Sequence, residues 1–220
     1  MRLALFFLVL ANPLTLSASE EDKSLAALEK LGARVLRDTT SQKVVNVNLN
    51  GIAELTDADL AHLSRFPELT DLAMEKTTIT GAGFKHIAGL HDLEWLNLWK
   101  TKVDDAGLAH LKKLKKLQAL PVGGTAITDA GLAHLADLPD LSYLGLRNTA
   151  VTDAGVQDIA RLPALRELNL RGTKVTDGCI AALAQMKKLR KVWLGGTGVT
   201  EEGVARLRKL HPRCDIVLDE

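Results

Sequence analysis

Apolar residues recur along this chain in a pattern that changes within each unit and then begins again. Between residues 44 and 212 the pattern begins seven times; the first unit has 25 residues and the other six have 24. The units start at Val44, Leu69, Leu93, Leu117, Leu141, Leu165 and Leu189. Counted from each start, positions 1, 4 and 6 are apolar, and apolar residues two positions apart are typical of a short strand with one buried face.

The second half of each unit has the spacing of a helix. Position 11, or position 12 of the longer first unit, is aliphatic. Thr-Asp-Ala-Gly or a variant of it follows, and apolar residues then recur about every three positions. A unit of this size cannot bury its apolar face alone, so it must stack on its neighbours. The sequence therefore predicts an α/β array in which strands stack on strands and helices on helices.

This pattern resembles the leucine-rich repeat, whose consensus is Leu-x-x-Leu-x-Leu-x-x-Asn/Cys-x-Leu. It is most similar to the secreted bacterial type with Thr-Asp-Ala-Gly-Leu in the second half. The resemblance implies an α/β leucine-rich-repeat solenoid: a right-handed horseshoe arc with a parallel sheet on its concave side and short helices on its convex side. Position 9 departs from the consensus, because it is Thr in the last six units: Thr77, Thr101, Thr125, Thr149, Thr173 and Thr197. A hydroxyl hydrogen-bonds but reaches less far than an Asn amide, so we expect a ladder of Thr hydroxyls along the solenoid.

Both ends of the repeat array need a cap, since a bare end would expose the core. Residues 22 to 31 have helical spacing, with Ser24 or Asp22 as N-cap and Gly32 as the stop. We expect residues 20 to 43 to form a helix and strand that cap the first repeat, and residues 213 to 220 to form a terminal capping strand.

The first 19 residues differ from the rest of the chain. Arg2 is followed by an unbroken apolar run over residues 3 to 10, and small residues occupy positions 17 to 19. These features are typical of a secretory signal peptide, and the apolar part is shorter than the about 20 residues that span a bilayer. We expect a protein that is secreted, periplasmic or on the cell surface, with an uncleaved membrane anchor as the alternative.

Charge and cysteine content exclude two classes of protein. Without the leader the chain has 27 basic and 27 acidic residues, and a net charge of zero gives no electrostatic footprint for nucleic acid. Two cysteines, Cys179 and Cys214, are too few for a disulfide scaffold. Their places in the repeat frame should hold them further apart than the about 7 Å that a disulfide allows, so we expect two buried free thiols.

Two sets of polar residues recur on the helical side. Acidic residues recur at position 13, or at the equivalent position 14 of the longer first unit, and follow a Thr in all of these units but the third: Asp57, Asp105, Asp129, Asp153 and Asp177. A Thr-Asp pair before a helix is suited to N-capping, whereas calcium, the alternative, needs about six to eight oxygens converging on one point. Imidazoles recur at position 18, or at the equivalent position 19 of the first unit: His62, His86, His110 and His134. We expect no metal there, because stacked repeats hold equivalent side chains too far apart to share an ion.

No pattern in the sequence indicates catalysis. The sequence has no Ser, His and Asp within a recognised catalytic motif and no Gly-rich loop of the kind that binds phosphate. We therefore expect no enzyme, no catalytic residue and no cofactor. The basic run over residues 112 to 116 is expected to be a solvated edge, with contact to an anionic surface as the alternative.

The strand positions left over indicate where a partner would bind. With positions 4 and 6 buried, positions 3, 5 and 7 must face the concave side. That side receives all three Trp residues and the single Tyr, and aromatic residues with Arg are typical of interaction hot spots. The candidate partner-binding residues are Trp95, Asn97, Trp99, Tyr143, Arg147, Arg171 and Trp193. The fourth unit presents only Ala119, Pro121 and Gly123, so a shallow trough is expected between Trp95/Trp99 and Tyr143/Arg147.

Three hypotheses follow for this face. The first is that it binds a protein or peptide, and the second is that its aromatic rings stack on the sugars of a polysaccharide or cell wall. The third is that the protein is a structural spacer whose concave aromatics arose by drift.

Overall fold

The computed structural model describes residues 19 to 218. The predicted leader, apart from Ser19, lies outside the described residues, as do residues 219 and 220. The strands of the described part are β1 Arg34–Arg37, β2 Val44–Asn48, β3 Asp71–Ala73, β4 Trp95–Asn97, β5 Ala119–Pro121, β6 Tyr143–Gly145, β7 Glu167–Asn169, β8 Lys191–Trp193 and β9 Asp215–Val217. Its α-helices are α1 Glu20–Lys30, α2 Asp105–Leu108, α3 Asp129–Leu132, α4 Asp153–Ile159, α5 Ile180–Gln185 and α6 Glu201–Leu210. Short 3-10 helices occupy Asp59–Arg65, Gly81–His86, Ala109–Lys113, Ala133–Leu135 and Asp177–Cys179.

The strands form a single sheet in chain order. From β2 to β9 neighbouring strands are parallel and in register, so that Leu144 of β6 lies beside Leu168 of β7. Only β1 runs antiparallel to its neighbour, β2. Parallel neighbours need a crossover connection, and a short helix in the second half of each repeat supplies one. The predicted leucine-rich-repeat solenoid, with a parallel concave sheet and short convex helices, is confirmed. We call one strand with the helix that follows it a rung.

The core is a set of aliphatic columns that run through the rungs. In the fourth rung every predicted core side chain is 0 % exposed: Leu117, Leu120, Val122, Ile127, Leu132, Leu135 and Leu138. Burial at positions 4 and 6 of the strand leaves positions 3, 5 and 7 on the opposite face. We call that opposite surface the concave face.

Helix α1 covers the open end of the first rung. It begins after Ser19, whose hydroxyl accepts a hydrogen bond from the Asp22 backbone N–H at 3.0 Å, while the Asp22 carboxylate accepts from the Ser19 backbone N–H at 3.2 Å. The prediction that Ser24 or Asp22 is the N-cap is therefore wrong. Ser24 is buried within the helix, where its hydroxyl lies 3.3 Å from Nδ1 of His62 in the first rung.

The Thr residues at position 9 form a column, but their hydrogen bonds do not join the rungs. Each hydroxyl donates to the carbonyl oxygen three residues earlier in its own rung, as Thr149 does to Leu146 at 2.7 Å. The same bond occurs at Thr77, Thr101, Thr125, Thr173 and Thr197. Near these Thr residues the rungs are connected by backbone groups; the N–H of Leu146, for example, donates to the carbonyl of Asn169 at 2.8 Å.

Each Asp at position 13 binds the next rung. Asp129 accepts from the Thr152 backbone N–H at 2.8 Å through one carboxylate oxygen and from the Thr152 hydroxyl at 2.6 Å through the other. Thr152 in turn caps α4 by accepting from the Ala154 N–H at 3.2 Å. Asp57, Asp105, Asp153 and Asp177 make the same pair of bonds. The predicted N-capping by the Thr-Asp pair is confirmed for its Thr, which caps the helix that follows, whereas the Asp carboxylate binds the capping Thr of the next rung.

The second and third rungs depart from this arrangement together. Position 13 of the second rung is Gly81, which has no carboxylate, and position 12 of the third rung is Asp104, which caps α2 by accepting from the Gly107 N–H. Asp at both places would bring two carboxylates close together, and their negative charges would repel each other. The backbones also approach closely here, since a Cβ added at Gly81 would lie 2.4 Å from the Cα of Gly107.

Candidate functional site

The candidate residues are set on the concave face by the strands. Trp95 begins β4, Tyr143 begins β6 and Trp193 ends β8, while Trp99 lies two residues beyond the end of β4. All four aromatic side chains are half-buried, Arg171 is half-buried as well, and Arg147 is exposed. The sheet thus presents a row of partly accessible rings.

Asn97 has a different environment from the other candidates. It is only 8 % exposed, its side-chain amide donates to Glu75 at 3.1 Å, and its carbonyl oxygen accepts from the Trp99 backbone N–H at 3.0 Å. The carbonyl end of this side chain therefore holds the turn that carries Trp99 and the amide end joins it to the preceding rung, so little of it is accessible to a partner.

The Trp99 indole is fixed by a glycine and two lysines. A Cβ added at Gly123 would lie 2.9 Å from Cδ1 of Trp99, so the ring covers the space that a side chain would fill. Nζ of Lys100 lies 4.4 Å and Nζ of Lys76 5.2 Å from the ring centroid, within the range of cation–π attraction. The ring is held in position before any partner arrives.

Tyr143 and Trp193 form a second aromatic group. Their ring centroids are 6.5 Å apart with an interplanar angle of 80°, an edge-to-face contact. The Tyr143 hydroxyl lies 3.0 Å from where a Cβ on Gly145 would stand. Burial raises the pKa of Tyr143, and a hydrogen bond with the Asn169 side chain opposes that shift. The phenol is therefore neutral at physiological pH.

Cations also lie over Trp193. Nζ of Lys191 is 4.9 Å and Cζ of Arg171 is 5.9 Å from its ring centroid. Sequence reasoning missed the contribution of lysines to both ring systems. Lys191 lies at position 3, which the strand pattern assigns to the concave face, whereas Lys76 and Lys100 lie at position 8, beyond the alternation of the strand.

Two grooves lie where one trough was expected. A groove of about 210 Å³ lies across the fourth rung and is lined by Trp99, Pro121, Gly123, Tyr143, Gly145, Arg147 and Asn169. We call it the aromatic groove. A more open groove of about 380 Å³ lies towards the start of the strands and is lined by Asp71, Glu94, Trp95, Gln118 and Ala119. We call it the acidic groove. Trp95 and Trp99 thus line different grooves, while Ala119, Pro121 and Gly123 supply floor to one or the other.

The convex and lateral surfaces carry the remaining candidate groups. In the basic run, Lys116 pairs with Asp92 at 2.7 Å and Lys115 donates to the Asp137 carbonyl at 3.1 Å, so two of its lysines link neighbouring rungs. The hydrogen bond with Asp92 raises the pKa of Lys116. Among residues 19 to 218 there is no group of three or more His, Cys, Asp or Glu side chains placed to hold a metal ion.

Both cysteines are free thiols. Cys179 is buried at position 15 of the sixth rung, where the other five of the last six rungs have Gly. Burial raises the pKa of the Cys179 thiol to about 12. Cys214 is half-buried rather than buried, and partial burial raises its pKa to about 11. Thiols with such high pKa values are poor nucleophiles at neutral pH.

None of the helices in the described part of the chain is long and apolar enough to cross a membrane.

Comparison with known proteins identifies the fold. No family model matches the chain, and no curated protein sequence matches it. Among solved structures the chain is similar to internalin C2 of Listeria monocytogenes, with 22 % identity, a TM-score of 0.59 and coverage of 89 % of this chain and 91 % of that one. It is also similar to a leucine-rich-repeat protein of Leptospira interrogans, with 22 % identity, a TM-score of 0.55 and coverage of 71 % of this chain but only 38 % of that one. The chain therefore has the leucine-rich-repeat fold.

Proposed function

We propose that this protein is a non-catalytic interaction module that acts outside the cytoplasm and binds a protein or peptide on its concave face. The aromatic groove carries the proposal. It combines two half-buried rings, Trp99 and Tyr143, with the exposed guanidinium of Arg147 around a floor of small residues. Aromatic and Arg side chains around a pocket are the residue types that dominate binding energy at protein interfaces.

The rigidity of the groove also supports binding. Trp99 is held between Gly123 and two lysines, and Tyr143 is held by Gly145 and Trp193. Side chains that are already ordered lose little conformational entropy when a partner binds. The groove is therefore suited to a partner that inserts a side chain across the fourth rung.

A peptide suits this face better than a polysaccharide does. Sugar rings stack on open aromatic faces. The rings of Trp99 and Trp193 are not open in this way, because cations of the protein lie 4.4 to 5.9 Å from their centroids. The same cations favour a partner that brings carboxylates, as a peptide can. Retention on polysaccharide, competed by free sugar, would support the carbohydrate alternative.

The extracytoplasmic location is supported by the leader predicted from residues 1 to 19. Export followed by N-terminal sequencing tests it. We expect the exported protein to begin near the first residue of α1, whereas an exported protein that retains Met1 would favour the anchored alternative.

The binding proposal is tested with a Trp99→Ala/Tyr143→Ala double variant. Wild-type protein should capture partner proteins from an extract, and the double variant should lose those same partners. A His134→Ala/Gln157→Ala variant on the exposed convex side is the matched control and should capture them as wild type does. Capture must be measured below the melting temperature of each variant, because the concave rings are half-buried and contribute to stability. Equal capture by all three proteins would refute a concave binding site.

A further inference from the structure

The two grooves of the concave face are lined by opposite charges. Asp71 and Glu94 line the acidic groove, and Arg147 lines the aromatic groove. Arg147 also lines a smaller groove of about 200 Å³ together with Arg171. Within the described residues no carboxylate lies within ion-pair distance of the Arg147 guanidinium. The two grooves therefore differ in charge although the chain as a whole is nearly neutral.

Trp95 differs from the other two Trp residues in a way that fits this division. Trp99 and Trp193 each have two cations of the protein itself over their rings. In the part of the chain that the structure describes, no cation lies over Trp95, although two carboxylates line its groove. An aromatic ring beside carboxylates is the environment that attracts a Lys or Arg side chain. The Thr70 hydroxyl donates to the Asp71 carboxylate at 2.6 Å and the Gln118 amide to the Glu94 carboxylate at 3.0 Å, so both carboxylates are held in place beside the groove.

The positions of the two grooves set the distance between the charges that they would bind. Trp95 is at position 3 of the third rung and Arg147 at position 7 of the fifth. Two strand spacings are about 10 Å and four residues along a strand about 13 Å, so the two sites lie about 16 Å apart on a diagonal. Pro121, at position 5 of the fourth rung, lies at its midpoint. An extended peptide advances about 3.3 Å per residue, so about five residues cover this distance.

We propose that the concave face binds an extended peptide segment that places a Lys or Arg side chain in the acidic groove and, about five residues away, a carboxylate at Arg147. This inference rests on the proposed function, because it names the chemistry of the partner for the same face. The intervening residues lie over Ala119, Pro121 and Gly123, whose small side chains leave room for a backbone. Opposite charges at fixed places give register and specificity to such a complex.

The test is selection from a library of random dodecapeptides displayed on phage, with the purified protein as the target. Selected peptides should carry a basic and an acidic residue about five positions apart, more often than the unselected library. The best of them are then synthesised and their binding measured by fluorescence anisotropy. Arg147→Glu and Glu94→Lys should each weaken their binding about tenfold or more, because like charges then face each other. Selection on each variant should reverse the sign of the matching peptide residue only.

Matched controls keep the charge change and move it to the convex side. Arg161→Glu and Asp158→Lys alter exposed residues of the convex surface and should leave binding unchanged. If a reversal variant melts early, Arg147→Ala and Glu94→Gln remove the same charges without introducing a like-charge contact and are measured in the same way.

The outcomes separate this inference from the proposed function. Peptides that need Trp99 and Tyr143 but lack the charge pair, or that bind the reversal variants equally well, would overturn the inference and leave the proposed function standing. Peptides that are indifferent to both aromatic residues, or a selection that enriches no peptide, would overturn both.

Discussion

The link between Asp129 and Thr152 can be measured with a double-mutant cycle. A hydrogen bond to a charged group contributes about 1.5 to 3 kcal/mol, and we take the lower end because both side chains are partly exposed. Asp129→Ala removes two such bonds and should cost about 3 kcal/mol. Thr152→Ala removes the hydroxyl bond and the cap of α4, and should cost about 2.5 kcal/mol. Since the two variants share one bond, the double variant should cost about 4 kcal/mol, a coupling of about 1.5 kcal/mol.

Urea unfolding followed by circular dichroism gives these free energies. The m-values must agree between variants, because solenoids can lose cooperativity between rungs. Asp158→Ala, an exposed acid on the same convex side, is the control and should change stability by less than about 0.5 kcal/mol. A coupling energy of zero would refute the reasoning, since it would mean that Asp129 acts on its own helix, as an ordinary capping residue would.

Three further predictions concern single residues. Gly81→Ala should destabilise the protein by about 1 to 3 kcal/mol, because the new Cβ would lie 2.4 Å from the backbone of the next rung. Gly89→Ala is the control: a Cβ there has no atom within 4 Å, so this variant should be neutral or slightly stabilising in the same urea assay. Hydrogen bonds from Thr200 of the next rung lower the pKa of Asp177 from its ordinary value of 3.8. The contribution of Asp177 to folding stability is therefore present above pH 3.8 and is lost as the pH falls through the lower pKa of the folded state. Asp177→Asn should flatten the dependence of stability on pH in this acid range. Cys179 and Cys214, with pKa values of about 12 and about 11, should react with iodoacetamide far more slowly in the native protein at pH 8 than in guanidinium chloride; equal rates would contradict their burial.

The fold could be predicted because one constraint is repeated seven times. A single strand of three residues, such as Tyr143–Gly145, has too little sequence to be recognised alone. Repetition shows which positions stay apolar, and the two-residue period then determines which side chains face the core and which face outward. The aromatic residues could be placed on the concave face for the same reason.

Contacts between rungs were harder to predict. Asp at the start of a helix has the same sequence signature whether it caps that helix or binds the Thr that is 23 residues further on. Only the offset between stacked rungs decides between the two, and no local pattern encodes it. Division of the trough into two grooves depends on that offset as well, because the Trp99 ring lies over Gly123 of the next rung while Trp95 faces Ala119.

The backbone at position 8 connects the site to the fold. This position has a positive φ in all seven rungs; it is Gly51, Gly124, Gly172 and Gly196 in four of them, Asn148 in a fifth, and Lys76 and Lys100 in the remaining two. A left-handed conformation costs a residue with a Cβ about 1 to 2 kcal/mol.

Both lysines lie over the same ring, that of Trp99. An exposed cation–π contact stabilises the folded protein by about 0.5 to 1 kcal/mol. Local stability alone therefore favours Gly at these two positions, as in the neighbouring rungs. Strained conformations are concentrated at functional sites, because there a side chain is needed for something other than stability. The two lysines beside Trp99 thus support the aromatic groove as a binding site on grounds independent of its shape.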